Sequence, residues 1–323
     1  MGCPNQCVFC DQHAISGAHS FSFEKVREDI ETVLATAGNA ECEIAFFGGS
    51  FTGIDRALMI KLLELAEEYV KEGKVCGIRM STRPDYISRE ITDVLSRYTV
   101  SQVELGIQSF SDKVLCASKR GHMKEASYNA VRLLKKEGFS VVGQMMTGLP
   151  GADIESERET ARIICEEGCS AARIYPCIVF KNTPLEIMTR KGEYTPMTVD
   201  EAVERSAAAY RVFLENDVPL LKIGLHESDN LHDDRTYFAG PNHPAIGELI
   251  RGRILCENIL KSLENKETAG KYLTVFVPLG KTSMAVGQKR CYKSYILEKT
   301  GAKSLKILEI ESLERYNISI DIK

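Results

Sequence analysis

The sequence predicts an α/β fold: a partial (β/α)6 barrel of the TIM type followed by a small C-terminal α+β appendage. Three observations predict it. Apolar strand-like runs alternate with amphipathic helical stretches about every thirty residues as far as Gly224, the pattern of parallel strands joined by right-handed crossovers. The C-terminal ends of the strand-like runs collect Gly, Ser, Thr and polar residues, where the active site of such a barrel is built. No G-x-G-x-x-G follows a strand, which argues against a doubly wound sheet.

Taken in order, residues 22–37 read as a helix because Val26, Ile30, Val33 and Leu34 recur at helical spacing among charged residues. Residues 43–47, EIAFF, form a short buried strand that ends at Gly48-Gly49. Helices are expected at 55–72, 88–98, 111–117, 124–137, 154–167 and 198–216, and strands at 75–81, 102–108, 140–147, 171–175 and 219–224. Residues 227–242 are polar and turn-rich and read as a long loop. A helix over 243–263, a strand at 272–277, a helical stretch over 282–299 and strands at 305–309 and 316–322 complete the chain. The expected division is residues 1–226 for the barrel and 227–323 for the appendage.

Hydrophobic content of 44% and charged content of 27% are ordinary for a globular domain, and 323 residues suffice for one large core plus a small one. No run approaches a membrane-spanning length and no signal peptide precedes the first cysteines, so the expected location is the cytoplasm, with no membrane partner. Eleven cysteines, eight of them scattered, suit buried free thiols better than a disulfide framework. Cys165 and Cys169 are expected to pack. The net charge of −4 does not advertise nucleic acid, yet from Lys266 onward eleven Lys and Arg stand against six Asp and Glu. A basic tail on an acidic body suits an anionic partner, RNA included, or simply a solvated face.

The chemistry begins at Cys3, Cys7 and Cys10, a C-x3-C-x2-C triplet with Phe9 before the last cysteine. Three thiolates in eight residues converge if the loop closes, and soft ligands of this kind take zinc, copper(I) or an iron–sulfur cluster. A cubane cluster has four irons, so three cysteines leave one iron open to a small chelating molecule. The alternative is a Cys3His zinc site completed by His13.

The triplet resembles the signature of the radical S-adenosylmethionine (SAM) superfamily, and the later motifs are similar to its Elongator-catalytic-subunit-like and coproporphyrinogen-dehydrogenase-like groups. That resemblance implies a [4Fe–4S] cluster on Cys3, Cys7 and Cys10, and SAM chelating the open iron. It implies reductive cleavage of SAM to a 5′-deoxyadenosyl radical by an electron donor such as ferredoxin or flavodoxin. Gly48, Gly49 and Ser50 stand where the family carries a Gly-Gly-Glu-like motif for the SAM amino group, with Ser50 replacing the acid. Ser81, in the run Met80-Ser81-Thr82-Arg83-Pro84-Asp85-Tyr86, stands where some relatives carry a ribose-binding Glu. Gln108 corresponds to a ribose-binding Gln and Arg120 to the partner of the SAM carboxylate, a task that suits a guanidinium fork. By the same resemblance the loop should follow a strand, but only two residues precede Cys3. The first strand is therefore expected to be absent: either the start is truncated, which is the favoured reading, or the sheet begins one strand later. Truncation leaves the loop weakly anchored and the next strand with an unpaired edge, an aggregation liability.

Met145 and Ile174 are expected to pack around adenine, while Gln144, Tyr175 and Lys181 are expected to face the reacting substrate, where Tyr and Lys can donate a proton or hydrogen bond. Arg83 and Asp85 either line the cavity or pair with each other. His226, His232 and His243 fall in the loop after the last barrel strand without a claim to a metal. Lys281, Lys289, Arg290 and Lys293 could contact phosphates, although a solvated helix face explains them as well. In the full-length Elongator protein that the chain resembles, an acetyltransferase domain follows. This chain ends too early to hold it and lacks the basic N-terminal region used for tRNA, so tRNA acetyl transfer is not expected to carry over. The substrate stays unidentified. RNA modification through the basic tail is one alternative, and a non-catalytic metal- or SAM-binding module is another.

Overall fold

The computed structural model describes residues 3, 5–11, 21–38, 40–225 and 236–323. In chain order, α1 (Phe23–Ala37) leads to β1 (Glu43–Phe46), α2 (Arg56–Lys71), β2 (Gly77–Thr82), α3 (Arg89–Leu95) and β3 (Val100–Gln108). Then come α4 (Asp112–Ala117), α5 (Lys124–Lys136), β4 (Ser140–Thr147), α6 (Ile154–Glu166) and β5 (Ala171–Pro176). A two-residue strand, β6 (Val179–Phe180), precedes α7 (Pro184–Arg190), α8 (Val199–Glu215) and β7 (Leu220–Ile223). The remainder is β8 (Tyr237–Ala239), α9 (Ile246–Leu263), β9 (Tyr272–Val277), α10 (Thr282–Val286), α11 (Cys291–Thr300), β10 (Ser304–Glu309) and β11 (Ser319–Ile322).

Six parallel strands in the order β1-β2-β3-β4-β5-β7 form a curled half-barrel. Each strand alternates between its two faces. On β3, Val103, Leu105 and Ile107 enter the main core with Met59, Leu63, Leu134 and Ile164 from the surrounding helices, while Gln102 and Glu104 occupy the other, inner face. Helix starts carry the expected caps. Asp55, Ser88 and Thr198 each accept an amide hydrogen from the first turn of α2, α3 and α8, which satisfies donors the helix leaves unpaired.

A three-stranded sheet, β10-β9-β11, closes the appendage. It has its own core of Leu273, Val275, Tyr292, Ile296 and Leu305. Helix α9 belongs to both cores, burying Ile250 and Ile254 in the first and Leu255, Ile259 and Leu263 in the second. The helical stretch expected over 282–299 is divided because Gly287, Lys289 and Arg290 take positive φ between α10 and α11. The β6–β8 ribbon and α7 were not foreseen, since elements of two to seven residues show too little periodicity. No helix of the described residues is long and apolar enough to cross a membrane.

Strand β1 lies at the edge of the sheet, and among the described residues its outer side pairs with no strand. Beside it runs a groove of about 580 Å³ lined by Val26, Ile30 and Leu34 of α1 and by Ile44 and Phe46 of β1. An open apolar edge favours edge-to-edge pairing. Ala45 is exposed and in register with Arg79, so Ala45→Glu places a charge on the edge beside an opposite one. Light scattering at increasing concentration should show less self-association for A45E than for the parent. Equal association would rule out this edge as the route.

Candidate functional site

The cysteine loop is anchored by partners more than a hundred residues away along the chain. Val8 is fully buried. Its amide donates to the Ser118 carbonyl at 3.1 Å, and its carbonyl accepts from the Leu185 amide at 2.9 Å. The Cys10 amide donates to the Cys7 carbonyl at 3.1 Å and closes the turn. Phe9 packs in a separate apolar cluster with Val114, Leu149 and Leu185. The expected weak anchorage is thus corrected. The end of α4 and the start of α7 clip the loop on both sides of one residue, and buried amide pairs of this kind are costly to break.

The strand ends converge on this loop. Gly48 takes φ +94° after β1, a conformation that glycine adopts without Cβ strain. The Ser81 hydroxyl donates to the Gly49 carbonyl at 3.3 Å and ties β2 to that turn. Ser50 is buried, its hydroxyl 2.8 Å from that of Thr82 and accepting the Arg83 amide hydrogen at 3.1 Å. That hydroxyl is engaged inside the protein and braces the turn. Gln108 sits at φ +65° at the end of β3, and both it and Arg120 are buried. They meet above Gly106, where a Cβ would come within 3.0 Å of Arg120 Nη2 and of Gln108 Nε2. Arg120 Nη2 donates to the Gly106 carbonyl at 2.5 Å and Nη1 to Cys7 Sγ at 3.4 Å. Gly106 was not singled out from sequence. A glycine inside a strand is the signal for such a close approach.

Arg83 joins the same point. It is buried, forks onto Asp85 through Nε at 2.9 Å and Nη2 at 2.8 Å, and donates Nη1 to Cys7 Sγ at 3.6 Å. Nη2 also reaches the Arg120 carbonyl at 2.6 Å. Burial would raise the Asp85 carboxyl, but the Arg83 fork outweighs it and holds the group below its usual range. Burial lowers the neighbouring His122 imidazole, with the Arg120 and Arg83 charges acting the same way.

Further into the half-barrel, Glu104 is 3% exposed and lies between Arg79 at 3.0 Å and Arg173 at 2.8 Å. Arg173 also donates to the Tyr175 hydroxyl at 3.4 Å and lies 5.7 Å over the Phe47 ring. Burial raises the Tyr175 hydroxyl, opposed by Arg173. Gln144 is in register with Gly106 on one side and Arg173 on the other, so it shares this face with Tyr175. Lys181 is placed apart, on the β6–β8 ribbon, with its amide on the Thr236 carbonyl and its charge beside Glu186. Met145 is a correction. Like Ile174, from which the same contact with adenine was expected, it is fully buried in the main core with Ile164, on the face turned to the helices. The neighbouring Met146 is half-buried and packs against the cluster around Phe9.

Other expected sites resolve simply. Cys165 and Cys169 pack in the main core, and burial pushes their thiols up to about 11 and about 12. His243 accepts the Ala245 amide hydrogen at 3.1 Å. His13, His226 and His232 lie outside the described residues. Among the described residues no three His, Cys, Asp or Glu side chains are close enough to hold one metal ion. A cubane asks for a different arrangement, since each thiolate binds a separate iron at a separate corner. The residues fit such a cluster with a polar chelating ligand. Two guanidinium groups are aimed at Cys7 Sγ, and Gln108 Oε1 and Arg120 Nε are buried without a partner in the protein. Buried polar atoms of this kind call for a ligand.

Residues 1–164 match the Radical SAM superfamily and residues 169–255 the Radical_SAM C-terminal domain. An uncharacterized protein of Methanocaldococcus jannaschii is 32% identical over 214 residues, covering 62% of this chain and 65% of its own length. The tRNA uridine(34) acetyltransferase of the same organism is 31% identical over 158 residues, 48% of this chain and 29% of that protein. Elongator complex protein 3 of Homo sapiens is 32% identical over 174 residues, 50% of this chain and 31% of that protein. This chain therefore spans less than two thirds of the length of each. Among solved structures, the archaeal Elp3 of Methanocaldococcus infernus with an N-terminal deletion superposes with a TM-score of 0.60 at 25% identity, over 76% of this chain and 59% of that one. The chain is thus similar to Elongator-like proteins, in sequence over about half of its length and in fold over 76% of it, and the cofactors of the radical SAM superfamily are a [4Fe–4S] cluster and SAM. With half of its length, residues 1–164, matched by the family model, the chain belongs to the radical SAM superfamily.

Proposed function

We propose that the protein reductively cleaves SAM and uses the product radical to take a hydrogen atom from a substrate in the half-barrel. The observation that carries this reading is the meeting of Gln108 and Arg120 above Gly106, beside Cys7, with one unpaired polar atom on each. When bound, the cluster held by Cys3, Cys7 and Cys10 supplies the electron that splits SAM, delivered by a low-potential donor such as ferredoxin or flavodoxin. Arg120 offers its guanidinium to the SAM carboxylate. Gly48, Gly49 and Ser50 present backbone carbonyls to the amino group. Gln108 offers its amide to the ribose. Gln144 and Tyr175 border the space beyond, above the Arg79–Glu104–Arg173 layer, and Tyr175 holds its proton there as a hydrogen-bond donor. Lys181 lies apart from them and has the weaker claim to substrate.

Anaerobic reconstitution with iron and sulfide, followed by reduction with SAM present, tests the reading. Release of 5′-deoxyadenosine is the expected result, and cluster-loaded, reduced protein that leaves SAM intact would contradict it.

RNA is the substrate class favoured next, because a relative named as a tRNA uridine(34) acetyltransferase matches nearly half of the chain. Lys289 and Arg290, exposed between α10 and α11, are candidates to meet phosphates. An affinity for tRNA that falls with salt, and falls further in a Lys289→Ala/Arg290→Ala variant, is the expected outcome. Binding unchanged by the double substitution would remove the tail from the account.

A further inference from the structure

We propose that Arg83 and Asp85 act as an opposed pair that sets the reduction potential of the cluster through Cys7. The inference rests on the cluster assignment above and adds a role that the motif comparison does not give to either residue. Two guanidinium groups donate to a single sulfur, Arg120 at 3.4 Å and Arg83 at 3.6 Å. Arg120 has its own anchor on the Gly106 carbonyl. Arg83 is anchored by a carboxylate that accepts two of its N–H groups, which leaves Nη1 directed at Cys7. The pair is fixed in place. Pro84 follows Arg83 and opens a short 3-10 turn, and the Arg83 amide is held by Ser50. Cys3 also lies within electrostatic range of Arg83.

Three thiolates and a cubane cluster make a negatively charged centre, and one-electron reduction adds a further charge. A positive charge and N–H donors at a ligating sulfur stabilise the reduced form, while a negative charge nearby destabilises it. Arg83 and Asp85 therefore act with opposite sign. Arg83 raises the potential through its charge and its hydrogen bond to sulfur. Asp85 lowers it by charge alone, while keeping the guanidinium oriented. The low-dielectric surroundings of two buried arginines make these effects larger than they would be in water. The structure thus holds a guanidinium close to the sulfur with most of its charge offset, so that the cluster keeps the low potential needed to pass an electron on.

The test is an EPR-monitored redox titration of the reconstituted full chain, using a low-potential chemical reductant. Wild type, Arg83→Met, Arg83→Lys and Asp85→Asn are compared, with iron content measured for each. At a fixed potential, Arg83→Met is expected to decrease the reduced-to-oxidised ratio by about tenfold or more, a shift of 59 mV for a one-electron couple. Asp85→Asn is expected to increase that ratio, and Arg83→Lys to fall between wild type and Met. A merely structural pair would move both variants in the same direction or leave both midpoints unchanged, and either result overturns the proposal. If Arg83→Met does not retain iron, the sign of the shift in Asp85→Asn decides. Wild-type protein that takes up no cluster would instead overturn the cluster assignment.

Discussion

A Cys7→Ala variant is expected to remain folded while losing SAM cleavage by at least about a hundredfold, since removing a metal ligand costs no less than disturbing the groups that support one. Cys7 is the point on which the site converges. It is 4% exposed and receives both guanidinium groups, and it precedes the residue clipped by Ser118 and Leu185. The substitution removes one of three thiolates and leaves two buried cations without their sulfur. The loop should persist, because Val8 and Phe9 hold it through backbone pairing and apolar packing. Iron per chain after reconstitution should fall with activity, while circular dichroism and the melting temperature change little. Full cleavage activity in this variant would show that Cys7 is not a ligand.

The largest stability effect is expected at Glu157. This residue of α6 is 2% exposed, accepts Arg205 through both carboxylate oxygens at 2.9 and 2.6 Å, and accepts the Gly148 amide hydrogen at 2.6 Å. Burial pushes its carboxyl up, against the pull of Arg205 and the Gly148 amide. Gly148 opens the turn after β4 at φ +77°, packed so closely that a Cβ there would lie 2.2 Å from Met197 Cε. Its carbonyl accepts the Tyr194 hydroxyl at 2.6 Å. Glu157→Ala leaves a guanidinium and a buried amide unpaired, and losing one partner of a buried pair costs about 3–5 kcal/mol. The melting temperature should fall by roughly 5–10 °C. Leu149, next in the chain, packs in the Phe9 cluster, so iron retention should fall as well. An E157A/R205A double variant should lose less than the sum of the two single variants. A shift under about 2 °C for E157A would show that the pair is not important to the fold.

Most of the barrel was legible because its strands and helices are long enough to show their periods. Six strands, in the expected order and within a few residues of the expected bounds, came from short apolar runs ended by glycine or polar residues. Gln108 and Arg120 were legible as motif residues, and the structure brings them together. The placement of Met145 was not. Strand β4 is buried on the face turned to the helices and half-buried at Gln144 and Met146 on the other, and two adjacent methionines do not say which of them faces inward. The anchorage of the cysteine loop was hidden for a different reason. Its partners are Ser118 and Leu185, more than a hundred residues away, and α7 is too short to announce itself. Of the two readings of Arg83, the structure shows the pairing with Asp85, and Nη1 of the same side chain reaches Cys7 Sγ. The Glu104 ion pairs depend on three strands curling around one point, which no local pattern records.

Mössbauer spectroscopy of ⁵⁷Fe-reconstituted protein, with and without SAM, tests whether the three cysteines hold a cubane cluster with one iron left for SAM. A four-iron cluster is expected in which one quarter of the signal, and only that quarter, changes when SAM is added. A spectrum that SAM leaves unaltered, or iron bound in some form other than a cubane, would overturn the assignment.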